Sequence, residues 1–233
     1  MPSFTSTSII SGVIGKTSGT ADNQFKDHLL QVSRRLDWRF LLPNPDLGNV
    51  AYLGPEEDSL VDTLQLFCQT LTQINSLQLV STRLNDFDLV VIKNPTNQYL
   101  KVGTQLLKPG GYIFIETYGW SRIDKPGLYL KYCYDFLQHR ESSGQPWSLP
   151  HIKNVIRRLG FQTIHAYWHW PNFEACTRII GLDDTDSQTL AFSFQENGIQ
   201  AYLKKALSSG LFHPGWVQYW VPYFSIIARK DSI

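Results

Sequence analysis

The stretch from Phe87 to Thr117, FDLVVIKNPTNQYLKVGTQLLKPGGYIFIET, limits what the chain can fold into more than any other. Phe87 to Ile92 is a short apolar run with β-branched residues, the pattern of a strand covered on both faces. Asn94-Pro95-Thr96-Asn97 breaks it with turn chemistry. Beyond it, Tyr99, Leu100, Val102, Leu106 and Leu107 fit one side of a short amphipathic helix. Lys108-Pro109-Gly110-Gly111 stops that helix, with Lys near its negative end and Gly free to take positive φ. Tyr112 to Ile115 then reads as a second buried strand. Strand, helix, glycine stop and strand within about thirty residues predict a βαβ unit in a parallel sheet.

The rest of the chain supplies elements on either side. Residues 1–20 are rich in Ser, Thr and Gly and predict a mobile tail ahead of one folded unit, 21–233. Asp22 or Asn23 caps a helix expected to reach Leu36, with Lys26, Arg34 and Arg35 in solvent. Asn49 to Gly54 predicts the first strand. Pro55 suits the first position of the next helix, with Glu56, Glu57 and Asp58 against its positive end. Thr70 to Ile74 and Leu77 to Val80 read as the second and third strands, too close in sequence to hold a helix between them. Leu128 to Arg140 and His151 to Leu159 read as helices. Gly160-Phe161 ends the second, and a strand follows at Gln162 to Tyr167. Val221 to Lys230 predicts the closing strand. Before it lies an aromatic-rich insert, 168–218, which opens at Trp168-His169-Trp170 and includes a helix expected over 187–207.

Composition narrows the functional classes. A net charge of +1 gives no basic footprint for a nucleic acid. No apolar run approaches the roughly 18 residues of a membrane span. The N-terminus has neither the early basic residues nor the apolar core of a signal peptide. Cys68, Cys133 and Cys176 are odd in number and widely spaced, which fits a reduced, cytoplasmic compartment better than a disulfide framework. There is no phosphate-binding P-loop, no Gly-x-Ser-x-Gly elbow and no paired-Cys zinc pattern. Of the six His, only His165 and His169 share a strand face, and no third metal ligand accompanies them.

FDLVV followed by LLKPGGYIFIE resembles the fourth and fifth strands of the class I S-adenosylmethionine (SAM)-dependent methyltransferases. IRRLGFQTIHAYW is similar to their last helix and sixth strand. VPYFSIIARK is similar to their closing strand, which runs antiparallel between the fifth and sixth. The resemblance implies an α/β, Rossmann-like doubly wound sheet, mostly parallel, with an antiparallel last strand and the insert before it. It also implies SAM as cofactor, held where the strands end at the topological switch point. Gly54, Pro55 and Glu56 would meet it after the first strand, Asn75 after the second, and Lys93 and Asn94 after the fourth. The chain departs from the family in three places. The first turn has a single glycine, Asn75 stands where an acidic residue usually binds the ribose, and one helix is trimmed. Glu56, Glu57 and Asp58 have two readings: partners for a cationic cofactor, or complements of the helix dipole.

For the acceptor side, Tyr118, Trp120, Trp168 and Trp170 are expected to wall a pocket. His169, Tyr118 or Glu116 would serve as base if the acceptor is a hydroxyl. The functional expectation is O-methylation, with a carboxylate among the candidate acceptors, on an apolar small-molecule or peptide-like natural product. The alternative is a non-catalytic, methyltransferase-like scaffold in a biosynthetic assembly. A dinucleotide or nucleotide-sugar enzyme is disfavoured by Glu56 and Glu57 at the first turn and by the absence of Gly-x-Gly-x-x-Gly. The enzymatic expectation requires the loops after Leu53, Ile74 and Ile92 to converge on one cleft.

Overall fold

The computed structural model describes residues 33–74, 84–119, 147–183 and 221–231. A short 3-10 helix, Asp37–Leu41, leads into a seven-stranded sheet. Its strands are β1 (Asn49–Leu53), β2 (Thr70–Gln73), β3 (Phe87–Lys93), β4 (Leu107–Tyr118), β5 (Phe161–Trp170), β6 (Arg178–Gly181) and β7 (Tyr223–Lys230). Among the described residues three helices pack on it: α1 (Ser59–Phe67), α2 (Asn97–Leu106) and α3 (Leu149–Arg158).

The strand order is β2-β1-β3-β4-β7-β5-β6. β1, β2, β3 and β4 are mutually parallel. β7 enters antiparallel between β4 and β5, as the resemblance implied. The chain leaves β1 towards β2 on one side and returns to β3 on the other, so the switch point lies between β1 and β3. The βαβ unit read from Phe87 to Thr117 is β3-α2-β4.

Period-two alternation sorts the strand residues into two cores. Ala51, Leu53, Val90, Ile92, Ile113 and Ile115 face Leu100 and Leu106 of α2 and Ile152 and Ile156 of α3. Val50, Tyr52, Leu89, Val91 and Phe114 face the other way, against Leu60 and Leu64 of α1 and against Leu36, Trp38 and Leu42 of the leading segment. The sheet is thus covered on both faces, which is why β3 and β4 read as nearly continuous apolar runs.

Several boundaries differ from expectation. Helix α1 starts at Ser59 rather than Pro55, four residues later, because the Asp58 side chain accepts the backbone N–H of Leu60 and caps the helix there. Lys108-Pro109-Gly110-Gly111 stops α2, but within β4 rather than ahead of it. Leu107 pairs with Phe87 and Tyr112 with Leu89, so the four residues bulge out of the ladder, with Gly110 at φ 79°. Trp168, His169 and Trp170 are the end of β5, not the opening of an insert, and they pair with β6 in a hairpin that widens the sheet. Gly119 lies where β4 meets the entry to β7. A side chain there would collide with the Val221 carbonyl oxygen, so only glycine lets the two backbones touch.

The N-terminal tail, most of the leading helix, the strand expected at 77–80, the helix expected at 128–140 and the helix expected at 187–207 lie outside the described residues. Among the described residues no helix is long and apolar enough to cross a membrane.

Candidate functional site

The carboxyl ends of β1, β3, β4 and β5 place a row of polar side chains on the face that carries α1. It runs from Tyr52 on β1, through Lys93 on β3 and Glu116 on β4, to Ser225 on β7 and His169 on β5. Lys93 pairs in register with Glu116, and Glu116 with Ser225. Polar groups in so buried a place must satisfy one another, and three clusters do so.

The first cluster spans the switch point. Asp58 accepts the Tyr52 hydroxyl at 2.7 Å and the Leu60 N–H at 3.0 Å. The Lys93 ammonium reaches across from β3 to the same carboxylate at 2.7 Å. Burial alone would raise the Asp58 pKa, but the hydrogen bonds from Lys93, Leu60 and Tyr52 outweigh it and hold the carboxyl below its ordinary value. Burial and the Asp58 contact together push the Tyr52 phenol well up, so it stays a donor. Gly54 follows immediately. A Cβ on it would lie 2.5 Å from the Tyr52 hydroxyl oxygen and 3.1 Å from Lys93 Cβ, so the side chains of Tyr52 and Lys93 take the room a larger residue would need.

The second cluster is an ion pair under the leading segment. Arg35 grips Glu116 with both terminal nitrogens, Nη2 to Oε2 at 2.6 Å, and both side chains are almost wholly buried. Burial opposes the guanidinium charge, but Glu116 more than restores it, and the Arg35 pKa stands above its ordinary value. Arg35 Nε has no partner among the described residues. Three residues on, Trp38 stacks flat on Phe114 of β4, with ring centroids 3.6 Å apart. The leading segment is therefore clamped on the sheet by one charged and one aromatic contact.

In the third cluster, His169 Nε2 lies 2.7 Å from the Ser225 hydroxyl and Nδ1 lies 3.6 Å from Cys176 Sγ. Burial, aided by the nearby Arg35 charge, lowers the His169 pKa to about 3. The ring is neutral at physiological pH. Beside it, Phe173, Tyr118 and Tyr223 meet edge to face, with centroids 5.7 to 6.1 Å apart.

The residues singled out in the sequence separate accordingly. Gly54, Lys93 and Asn94 come together at the switch point. Asn94 takes a positive φ of 54°, donates its backbone N–H to the Glu116 carbonyl at 3.0 Å, and buries an Oδ1 with no partner among the described residues. Pro55 and Glu56 lie on the exposed loop above. Tyr118 and His169 share the α1 face of the sheet. Strand alternation sends Trp168 and Trp170 to the opposite face, where Trp168 packs on the α2–α3 core and the two indoles meet 5.3 Å apart. The expected aromatic wall is thus split between two faces. Asn75 and Trp120 lie outside the described residues.

Sequence reasoning missed two participants. Arg35, expected in solvent, is buried on Glu116. Its position on the inner side of the segment was visible only in its adjacency to Leu36 and Trp38. Asp58 was grouped with Glu56 and Glu57, yet it alone is buried. The signal was its place one residue before the apolar Ser59–Phe67 run, the place of an N-cap.

No protein-family model matches the sequence, and no curated protein matches it significantly. The described sheet has four neighbouring parallel strands and an antiparallel β7 between β4 and β5, the feature the sequence resemblance implied. Solved structures of similar course include a SAM-dependent methyltransferase of Archaeoglobus fulgidus, at 14% identity and TM-score 0.47, covering 91% of this chain and 98% of that one. A SAM-dependent methyltransferase of Thermotoga maritima aligns at 12% identity and TM-score 0.46, over 91% and 97% of the two chains. Phosphoethanolamine N-methyltransferase 2 of Haemonchus contortus, in complex with SAM, aligns at 15% identity and TM-score 0.45, and this chain spans 53% of its length. At these identities the site has to be read from its own residues.

Proposed function

We propose that the chain is a SAM-dependent methyltransferase whose cofactor lies at the β1/β3 switch point. The observation that carries this reading is the set of acceptors there. The carboxyl end of β1 leads to a buried carboxylate, Asp58, joined to the end of β3 through Lys93, and β3 runs on to Asn94, whose Oδ1 is an acceptor without a partner among the described residues. Acceptors and acidic side chains suit a ligand with an ammonium and a sulfonium. They repel a phosphate, for which a helix N-terminus flanked by Glu56 and Glu57 would be a poor seat. Asp58 and Asn94 would hold the amino-acid head, with Gly54, Pro55, Glu56 and Lys93 bordering it and Asn75 as the candidate ribose contact.

When bound, SAM supplies an electrophilic methyl group. The chain's own part is to align an acceptor and keep water away. Tyr118 borders the acceptor side at the end of β4, with Phe173 and Tyr223 packed against it. The bases nearby are engaged: Glu116 holds Arg35, and His169 is too weakly basic at a pKa of about 3 to take a proton near neutrality. This favours an acceptor that is already nucleophilic, such as a carboxylate, and supports O-methylation of an acidic, apolar small molecule or peptide over methylation of an unactivated alcohol.

A second reading has its own observation. Tyr52 and Lys93 fill the space over Gly54, as a scaffold that no longer binds cofactor would allow. Titration calorimetry with SAM and with S-adenosylhomocysteine (SAH) separates the two. The enzyme binds both, and a carboxylic-acid panel then gains label from methyl-labelled SAM. If neither ligand binds at millimolar concentration, the scaffold reading stands and the enzymatic one is lost.

A further inference from the structure

Building on the cofactor reading, we propose that Asp58 is the ammonium-binding site of the crevice and that Lys93 occupies it as an internal stand-in until a ligand's primary ammonium displaces it. The observed occupant already defines the chemistry. A primary ammonium on an alkyl stem, Lys93 Nζ, sits 2.7 Å from Asp58 Oδ2. The α-ammonium of an amino-acid head is the same group on a different stem. Asp58 is oriented for this task by the Tyr52 hydroxyl and the Leu60 N–H, neither of which needs Lys93.

Exposure shows which partner moves. The Asp58 side chain keeps 2% of its surface, whereas that of Lys93 keeps 12%, so Lys93 is the less enclosed partner. Lys93 is the last residue of β3, beside the Asn94 turn, and its four-carbon stem is flexible. Asp58 is fixed in a helix cap. Lys93 Cβ borders the space over Gly54, which puts the root of the stem beside the turn where the ligand head would lie, so the two ammonium groups compete for one carboxylate. A lysine cation there also repels a ligand that carries a sulfonium. Lys93 therefore weakens binding, the opposite of the role its position in the sequence suggests.

The test compares SAH, which has the primary ammonium, with methylthioadenosine, which lacks the amino-acid head. In calorimetry, Lys93→Met should bind SAH about tenfold more tightly than the wild type, the order expected for removing one charge-assisted competitor. Methylthioadenosine affinity should stay the same. Asp58→Asn should bind SAH at least about tenfold more weakly, again with methylthioadenosine unchanged. Because Lys93→Met leaves a buried carboxylate without its cation and could fail to fold, the wild type carries a second readout. Its lysine ammonium NMR signals should show the Lys93 resonance shifting to that of a solvated lysine as SAH saturates the site. Weaker SAH binding by Lys93→Met, or a Lys93 resonance unmoved at saturation, overturns the inference and leaves the cofactor reading intact. Failure of SAH to bind any form at millimolar concentration removes both.

Discussion

Replacing Glu116 by Gln should be among the most damaging single substitutions in the described sheet. The change keeps shape and removes one charge. Arg35 would then remain cationic, with a side chain only 4% exposed, a guanidinium that has lost its carboxylate and an Nε that had no partner among the described residues to begin with. Breaking a buried ion pair by removing one member costs about 3–5 kcal/mol. For a chain of this size each kcal/mol lowers the melting temperature by roughly 2–4 °C, so a drop of about 6–20 °C is expected. Urea unfolding followed by two probes would give the free energy and check two-state behaviour. The diagnostic comparison is the double variant Arg35→Met with Glu116→Gln, which removes both charges. It should recover most of the loss, because the penalty belongs to the unpaired cation and not to the missing contact. A Glu116→Gln cost below about 1 kcal/mol would refute the burial argument. So would a double variant as unstable as the single one.

Other consequences follow from the same contacts. Asp58 has a depressed pKa, so its stabilisation is fully present above the unfolded carboxylate pKa and is lost as pH falls through the lower folded value. Asp58→Asn should flatten that acid limb of the stability–pH curve and cost about 1.5–3 kcal/mol near neutrality through the lost charge-assisted bond from Lys93, the cap itself being kept by Asn. His169 behaves in the same direction for a different reason. Its folded pKa of about 3 lies below the unfolded value, so the unfolded chain binds the extra proton and stability falls by up to about 1.4 kcal/mol per pH unit below roughly 6.5. Imidazole NMR should show a neutral ring from pH 8 down to about 4, and a titration midpoint near 6.5 would contradict the packing. Lys230 Nζ donates to the carbonyls of Thr104 and Leu107 at 2.8 and 2.7 Å and to Asn85, closing the C-terminal end of α2. Lys230→Met should therefore cost about 1–2 kcal/mol, read by urea unfolding, whereas a neutral outcome would mean that water replaces these bonds without loss.

Much of the sheet was legible because its signals are local. The β-branched run at Phe87–Ile92, the apolar spacing of α2 and the Gly160-Phe161 stop each encode their own backbone, and the structure follows them. The antiparallel β7 came from resemblance, since nothing within Val221–Lys230 specifies a direction. Side-chain partners were less readable. Arg35 and Glu116 lie 81 residues apart, and only the folded sheet brings them together. Lys93 ends β3 and Asp58 caps α1 beyond β1, so the two come from either side of the switch point. The Trp168-His169-Trp170 run looked like one surface because its residues are adjacent. On an extended strand adjacency means opposite faces, and the period of two separates the two indoles from the imidazole. Asp58 was hidden for a similar reason. Three consecutive acids look alike in sequence, but only the one at the cap position turns inward.

The central claim is that the crevice between β1 and β3 holds the adenosyl cofactor, and a crystal structure of the chain grown with SAH tests it most directly. The expected map has the amino-acid head within hydrogen-bonding distance of Asp58 and Asn94 and the adenosine over the carboxyl ends of β1 and β2. A ligand bound on another part of the molecule, with Tyr52, Asp58 and Lys93 still joined over Gly54, would contradict it.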